Sequence, residues 1–388
     1  PDAPAADLAA LAAGNRSFAA DLYAVLAGVS DENLAFSPLG IRIALAMTYA
    51  GAEGTTAVQM ADALRFGVFG DRLHAAYNAL DQALEARNVE FPAGPDGVER
   101  KVELSVVNAL WGQQGFSFGD PFLETLAAEY GAGMYLVDFM EATEGARTAI
   151  NEWVATETNE RIPELIGPGV LSDLTRLVLT NAVYLDATWA SPFDPNRTEA
   201  ADFTLLDGSV VSADLMRATL TVPYAEGEGW QAVELPYVGD ELAMLVIVPD
   251  AGAFSAVEAS VADRLEASDL IPEQVALALP RFEFRSQSGL LGPLRELGMV
   301  DALDAALADF SGMTGERDLF VSDILHEAFV AVDEQGTEAA AATAVVMDLR
   351  SAPANPIVLE IDRPFLFALR DRETGTVLFL GRVLDPTA

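Results

Sequence analysis

The run Leu177-Val178-Leu179-Thr180-Asn181-Ala182-Val183-Tyr184-Leu185 constrains the fold more than any other stretch of the chain. Its apolar residues follow one another instead of alternating with polar ones. As a strand it carries apolar groups on both faces, so it belongs inside a sheet covered on both sides. Neither this run nor Leu242 to Val248 approaches the roughly 20 residues of a membrane-spanning helix. The chain has 388 residues, half of them hydrophobic, enough for one large domain or two ordinary ones.

Around that strand the texture divides. The first 65 residues read helical. Phe18, Leu22, Val25 and Leu26 share one helical face, with Gly28 as a stop. Ser37-Pro38 opens a second helix through Ile41, Leu45 and Tyr49, and Thr55 and Thr56 are N-cap candidates for a third. Residues 91–99 read as a Gly- and Pro-rich loop, Val102 to Trp111 as a strand, and about 145–160 as a helix. From about 176 strands dominate. Val233 to Leu235 and Leu242 to Val248 flank Gly239-Asp240, a hairpin signal. Val275 to Phe284, Leu319 to Val332, Ile357 to Ile361, Phe365 to Leu369 and Thr376 to Leu384 read as further strands, with a helix at about 288–298. Helices early and strands late, with no repeat and no linker, imply an α+β chain folded as one unit.

Composition removes several functions. There are 22 Lys plus Arg against 60 Asp plus Glu, a net charge of −38, and Lys101 is the one lysine. Such a chain repels nucleic acid and anionic membrane, whose recognition needs clustered bases. Zero Cys excludes disulfides, thiolate metal sites and a Cys nucleophile. No basic-then-apolar signal pattern opens the chain, and Pro1 in place of Met is expected where something has been removed. Two histidines, His74 and His326, leave few catalytic options. His326-Glu327 begins like a zincin motif, but Val330 stands at the second ligand position. Arg285-Ser286-Gln287-Ser288-Gly289 is no nucleophile elbow. No phosphate or calcium loop appears, so no cofactor and no metal is expected, and the chain reads as a non-enzyme. Asn15-Arg16-Ser17 and Asn196-Arg197-Thr198 are formal glycosylation sequons.

One segment departs from an ordinary globular pattern: Glu334-Gln335-Gly336-Thr337-Glu338-Ala339-Ala340-Ala341-Ala342-Thr343-Ala344-Val345-Val346-Met347-Asp348-Leu349-Arg350-Ser351. Its alanines favour a helix. As a strand, its alternate residues Thr337, Ala339, Ala341, Thr343, Val345 and Met347 form a face free of charge, while Glu338 and Asp348 fall on the other. A loop able to become a strand and a simple surface loop both fit.

These residues resemble the serpins, serine protease inhibitors that act by loop insertion. The resemblance runs through Asn33-Leu34-Ala35-Phe36-Ser37-Pro38-Leu39, Leu179 to Tyr184 followed by Trp189, Glu234-Leu235-Pro236-Tyr237, Ala308 to Gly312, Arg363-Pro364-Phe365 and Phe379 to Val383. The hinge Glu334 to Ala342 is its most specific part. It implies a single serpin-like α+β domain over residues 1–388. That domain would have a large central β-sheet, smaller sheets, surrounding helices and an exposed reactive loop at about 334–356.

Residue by residue, the resemblance implies a hinge of Glu334, Gly336, Thr337, Glu338, Ala339, Ala340, Ala341 and Ala342. Counting seventeen residues from Glu334 places the reactive bond at Arg350-Ser351, with a loop spaced like that of antithrombin. An arginine there suits a trypsin-like serine protease, whose pocket carries a carboxylate. Leu349 or Met347 would instead suit chymotrypsin- or elastase-like enzymes. Ser37, Asn181 and His326 match the family's shutter, and Trp189, Arg281 and Glu334 its breach. Gly40 stands where a second shutter serine is common, and Asp186-Ala187 replaces a basic-Gly pair. The helix around 72–89 has only Arg72 and Arg87 as bases, so no heparin site is expected. The expected partner is a protease held covalently by a monomeric inhibitor in an extracellular or periplasmic setting. The alternative is a non-inhibitory serpin that binds or chaperones.

Overall fold

The computed structural model describes residues 3–92, 100–267, 269–337 and 355–388. Helices α1 (Ala5–Ala27), α2 (Pro38–Tyr49), α3 (Gly54–Ala63), α4 (Asp71–Glu85), α5 (Asp120–Tyr130) and α6 (Thr143–Glu157) fall in the first 160 residues. Short helices α7 (Phe254–Glu258), α8 (Leu291–Glu296) and α9 (Ser311–Thr314) come later. Helix α2 starts as its sequence requires. The Ser37 side chain accepts from the Gly40 N–H at 3.1 Å, and Pro38 takes the first position, where a missing N–H costs nothing.

The strands of the described residues form two sheets. The nine-stranded one runs β1 (Leu34–Phe36), β16 (Val377–Val383), β15 (Phe365–Asp371), β9 (Leu242–Pro249), β8 (Trp230–Pro236), β7 (Val210–Gly227), β10 (Ile271–Pro280) and β14 (Ile357–Glu360), with β6 (Glu199–Thr204) also on β7. Strand β7 is 18 residues long and pairs in turn with β6, β10 and β8, so groups implied as smaller sheets run together into one. The seven-stranded sheet runs β11 (Phe282–Gly289), β12 (Asp323–Val332), β13 (Gly336–Thr337), β5 (Leu177–Thr188), β3 (Arg100–Gln113) and β2 (Val89–Phe91), with β4 (Met134–Val137) also on β3.

Strand β5 is buried along its whole length. Leu177, Leu179, Val183 and Leu185 join the main core, with α1, α2 and the nine-stranded sheet. Val178 and Ala182 face the second core with Ile150 and Val154 of α6. The two-faced apolar run thus has a layer on each side.

Three expectations shift. Val275 to Phe284 is not one strand: Pro280-Arg281 breaks it, and β10 and β11 go to different sheets. Proline cannot donate to a ladder, and its restriction of the backbone lets the chain change sheets there. Phe91 belongs to β2, and residues 93–99 lie outside the described ones. Helix α3 is capped by Glu53 without a side-chain bond; the Thr56 hydroxyl instead accepts from the Asp309 N–H at 3.0 Å. The hairpin at Gly239-Asp240 forms with positive φ at both residues (89° and 64°): the Asp240 N–H donates to the Tyr237 carbonyl, and the Tyr237 N–H to the Leu242 carbonyl, each at 3.0 Å, so residues 238–241 make the loop.

Candidate functional site

The middle of the seven-stranded sheet contains a seam. Strands β5 and β12 run parallel and pair over six residues, from Val178↔Asp323 to Val183↔Ala328. On either side, β3 pairs antiparallel with β5 and β11 antiparallel with β12. Beyond Val183 and Ala328 the two strands part, and β13 enters between them. Thr337 pairs antiparallel with Val332 of β12 and with Ala187 of β5, and Gly336 pairs with Thr188. Antiparallel ladders are slightly more stable per residue than parallel ones. The seam is therefore closed at one end and opened at the other by a strand in the more favourable orientation.

A tight turn feeds β13. The Asp333 carboxylate accepts from the backbone N–H groups of Gln335 (2.7 Å) and Gly336 (3.2 Å), and the Asp333 N–H donates to the Gly336 carbonyl at 3.0 Å. A side chain on Gly336 would have no room: an added Cβ would lie 2.0 Å from the Ala187 carbonyl oxygen. Thr337 is buried, its hydroxyl 2.5 Å from that of Tyr237. Burial pushes the Tyr237 hydroxyl far above its ordinary value, so it stays protonated. Tyr237 stacks on Trp189 with ring centres 4.6 Å apart and planes at 8°. The Trp189 indole donates to the Asp333 carbonyl at 3.0 Å, and its backbone N–H donates to the Gln335 carbonyl at 2.7 Å. Glu334 is held by the Thr198 hydroxyl (2.5 Å) and by Arg281 (3.2 Å). The three predicted breach residues thus meet at the turn. The Gln335 amide is buried there with no hydrogen-bond partner among the described residues.

At the closed end the predicted shutter residues also meet. The Ser37 N–H donates to His326 Nε2 at 3.0 Å, which leaves the proton on Nδ1 to be given to the Asn181 side-chain oxygen at 2.8 Å. The Asn181 amide then donates to the Asn108 side-chain oxygen at 2.8 Å. Asn108, Asn181 and His326 stand level across β3, β5 and β12. His326 is completely buried, and that burial pushes its pKa down to about 3, so the imidazole is neutral. Gly40 has a reason of its own: an added Cβ would lie 2.3 Å from the Asn181 amide nitrogen. The Asn181 amide occupies the space a serine would need, and Asn108 completes the network.

The second departure is also compensated. Asp186 pairs with Lys101 on the neighbouring strand β3 at 2.7 Å, so the base comes from across the sheet. Arg72 bonds Asp7, and Arg87 bonds Asp371, Glu241 and Glu373, so both bases near α4 are engaged by carboxylates. His74 lies in α4, its Nδ1 2.7 Å from the Tyr130 hydroxyl and far in sequence and network from His326. The Asn15 sequon is closed to modification: Asn15 is buried in α1, and its side-chain oxygen accepts from the Val377 N–H. No group of three or more metal-ligating side chains exists among the described residues. No helix there is long and apolar enough to cross a membrane. The hinge residues Glu338, Ala339, Ala340, Ala341 and Ala342 and the reactive bond Arg350-Ser351 lie outside the described residues.

The sequence reading missed Thr198, Tyr237 in its role at Thr337, and Asn108. Only Tyr237 carried a signal, as the end of the motif Glu234-Leu235-Pro236-Tyr237. The others become partners through pairings distant in sequence.

Residues 13–386 match the family model for serpin (serine protease inhibitor). The chain belongs to the serpin family. An uncharacterized serpin-like protein of Thermococcus kodakarensis is 39% identical over 95% of this chain and 84% of that one. The human leukocyte elastase inhibitor is 34% identical, covering 97% of this chain and 99% of its own. Among solved structures, Serpin48 of the insect Tenebrio molitor, a highly specific serpin, superposes with a TM-score of 0.84 at 30% identity, covering 97% of this chain and 98% of that one. The serpin fold, with its mixed seven-stranded sheet, is thereby established.

Proposed function

We propose that this serpin inhibits trypsin-like serine proteases as a suicide substrate cleaved at Arg350-Ser351. The observation that carries the reading is β13: the hinge already pairs antiparallel with both strands of the seam. The protease serine attacks the Arg350 carbonyl, the Ser351 amine leaves, and an acyl-enzyme forms. Thr337 to Arg350, freed at its far end, then continues β13 down the seam.

The register specifies where each residue would land. With Thr337 opposite Ala187 and Val332, an antiparallel continuation sets Ala339 opposite Leu185 and Val330, and Ala341 opposite Val183 and Ala328. Thr343 arrives opposite Asn181 and His326. Thr337 points inward at Tyr237, so alternation sends the charge-free face inward and Glu338 and Asp348 outward. The Asn181–His326 hydrogen bond must break to admit the strand, and the Thr343 hydroxyl is placed to take it over. Fourteen inserted residues extend about 45 Å. Their two new ladders, at about 1 kcal/mol net per hydrogen bond, together with apolar burial, release on the order of tens of kcal/mol. That suffices to drag and distort a tethered protease, whose chemistry tolerates little displacement. The uninserted form persists through a barrier, so its stability is kinetic.

The test is incubation with trypsin and a denaturing gel. A complex that survives SDS, with a released fragment beginning at Ser351, is expected. Clean turnover without complex would overturn inhibition and favour the non-inhibitory reading. Cleavage after Leu349 or Met347 would move the target class.

A further inference from the structure

The chain's one lysine stands beside the open end of the seam. Lys101 lies on β3, and its ammonium bridges two carboxylates: Glu103 of its own strand at 2.9 Å and Asp186 of β5 at 2.7 Å. Glu103 and Asp186 stand directly opposite each other across the two strands. By alternation Asp186 shares the face of Val178 and Ala182, which pack in the second core with α6. Asp186 is buried, and burial raises its carboxyl above the ordinary value; Lys101 opposes that rise, Glu103 adds to it and Arg161 opposes it.

The register of β13 makes this pair matter. Thr337 lies opposite Ala187 and Val332, so an antiparallel continuation sets the next residue, Glu338, opposite Asp186 on one side and Ala331 on the other. Thr337 points inward at Tyr237, so Glu338 takes the face that carries Asp186. The two carboxylates would then spring from Cβ atoms about 4.5–5.5 Å apart, and like charges directly opposite one another destabilise a ladder. Glu338 is the first charge after Thr337, and Asp348 the next. Space for its side chain exists over half-buried Ala331, in a cavity of about 530 Å³ that Arg161, Arg281 and Glu283 also line. Arg161 stands over the Phe329 ring of β12 at 5.7 Å, Glu283 lies across from Ala331, and Arg281 is paired with Glu334. With Glu103, Asp186 and Glu283 already on this face, a further carboxylate makes each base count.

Building on the proposed insertion, we propose that Lys101 is a positioning residue for it: the ammonium that now bridges Glu103 and Asp186 neutralises Glu338 as that residue enters beside Asp186. Its side chain is 37% exposed, and a flexible four-carbon stem lets the charge swing about Asp186 toward the neighbouring lane, one strand spacing of about 4.8 Å away. Glu338 is the second residue of the strand, directly after Thr337, so its charge is met at the start of insertion. The lysine thereby acts on how fast the loop enters the sheet, and so on whether an acyl-enzyme is trapped or hydrolysed.

The test uses the full chain with trypsin at low ionic strength, read as the ratio of cleaved inhibitor to SDS-stable complex. Lys101→Met should raise that ratio about two- to fivefold, and added salt should shrink the rise. Lys101→Arg, which keeps the charge, should stay near the unsubstituted value. In a Glu338→Gln background Lys101→Met should leave the ratio unaltered. A lysine that only braces β3 against β5 would raise it equally in both backgrounds; that result, or no rise in either, would overturn the proposal. Asp186→Asn removes the opposing charge and should lower the ratio. If Lys101→Met does not fold, an unchanged ratio with Asp186→Asn decides against the proposal. Should the unsubstituted chain form no complex, and its trypsin-cleaved form gain no thermal stability, insertion itself fails and the proposed function falls with this role. A chain that inserts without any dependence on Lys101 loses this role alone.

Discussion

The two ends of the seam between β5 and β12 are built from opposite materials. The closed end is uncharged: a neutral imidazole and two amides in one row across β3, β5 and β12, with the Ser37 N–H reaching the imidazole from the start of α2. The open end is a polar turn fixed by Asp333, Glu334, Thr198 and a half-exposed Arg281. Neutral buried hydrogen bonds hold a geometry firmly, because leaving either partner unpaired is costly. Exposed ion pairs hold weakly and exchange readily. If the loop inserts as proposed, the shutter would be the lock and the breach a loose latch: the strand would start at the weakly held end and have to break neutral hydrogen bonds to pass the other.

The largest test of that contrast introduces charge beneath the latch. Ala339→Arg would place a guanidinium on the inward face opposite Leu185 and Val330, where it has no partner. The SDS-stable complex with trypsin should disappear while cleavage at Arg350 continues. Retention of the complex would mean that insertion does not follow the register set by β13.

The lock should show itself through pH. In the unfolded chain an imidazole takes up a proton below about 6.5; folded His326 does so only near 3. Between these values the unfolded state binds more protons, so the stabilisation present above pH 6.5 is lost as pH falls toward 3, by up to about 1.4 kcal/mol per pH unit. Urea unfolding compared between this chain and His326→Gln isolates the effect from the many carboxylates. The difference between the two should change across that window and be flat above it. A constant difference would show that His326 is not the titrating lock.

How much of this was legible in advance depended on how local the cause was. The two-faced run at Leu177 to Leu185, the Ser37 cap and the Gly239-Asp240 turn each act within a few residues, and each formed as read. Of the hinge, the described residues reach only to Thr337, where Gly336 and Thr337 pair with the strands of the seam. The sheet change at Pro280-Arg281 was not legible, since apolar residues continue through it and only the proline marks the break. The replacement of a shutter serine by Gly40 read as a gap. It is a close contact with Asn181, a residue far away in sequence, and no local pattern encodes it. Lys101 likewise answers Asp186 across a strand pairing, so the apparent departure at 186 was half of a pair.

Two smaller changes rank the parts of the latch. Gly336→Ala puts a methyl group against the Ala187 carbonyl, a backbone atom that cannot turn aside. Crowding of this kind costs about 1–3 kcal/mol, or else β13 withdraws from the seam. Either outcome should raise the ratio of cleaved inhibitor to complex at equal trypsin, read on the same gel. Arg281→Ala should do far less. Its partner Glu334 keeps the Thr198 hydroxyl, and the Phe193 N–H still holds the Glu334 carbonyl at 2.8 Å. An ion pair with a half-exposed arginine contributes under about 1 kcal/mol and fades with salt. Raising ionic strength should therefore bring the two proteins' urea midpoints together. A large loss on Arg281→Ala that salt does not diminish would mean that the breach, and not the shutter, is the lock.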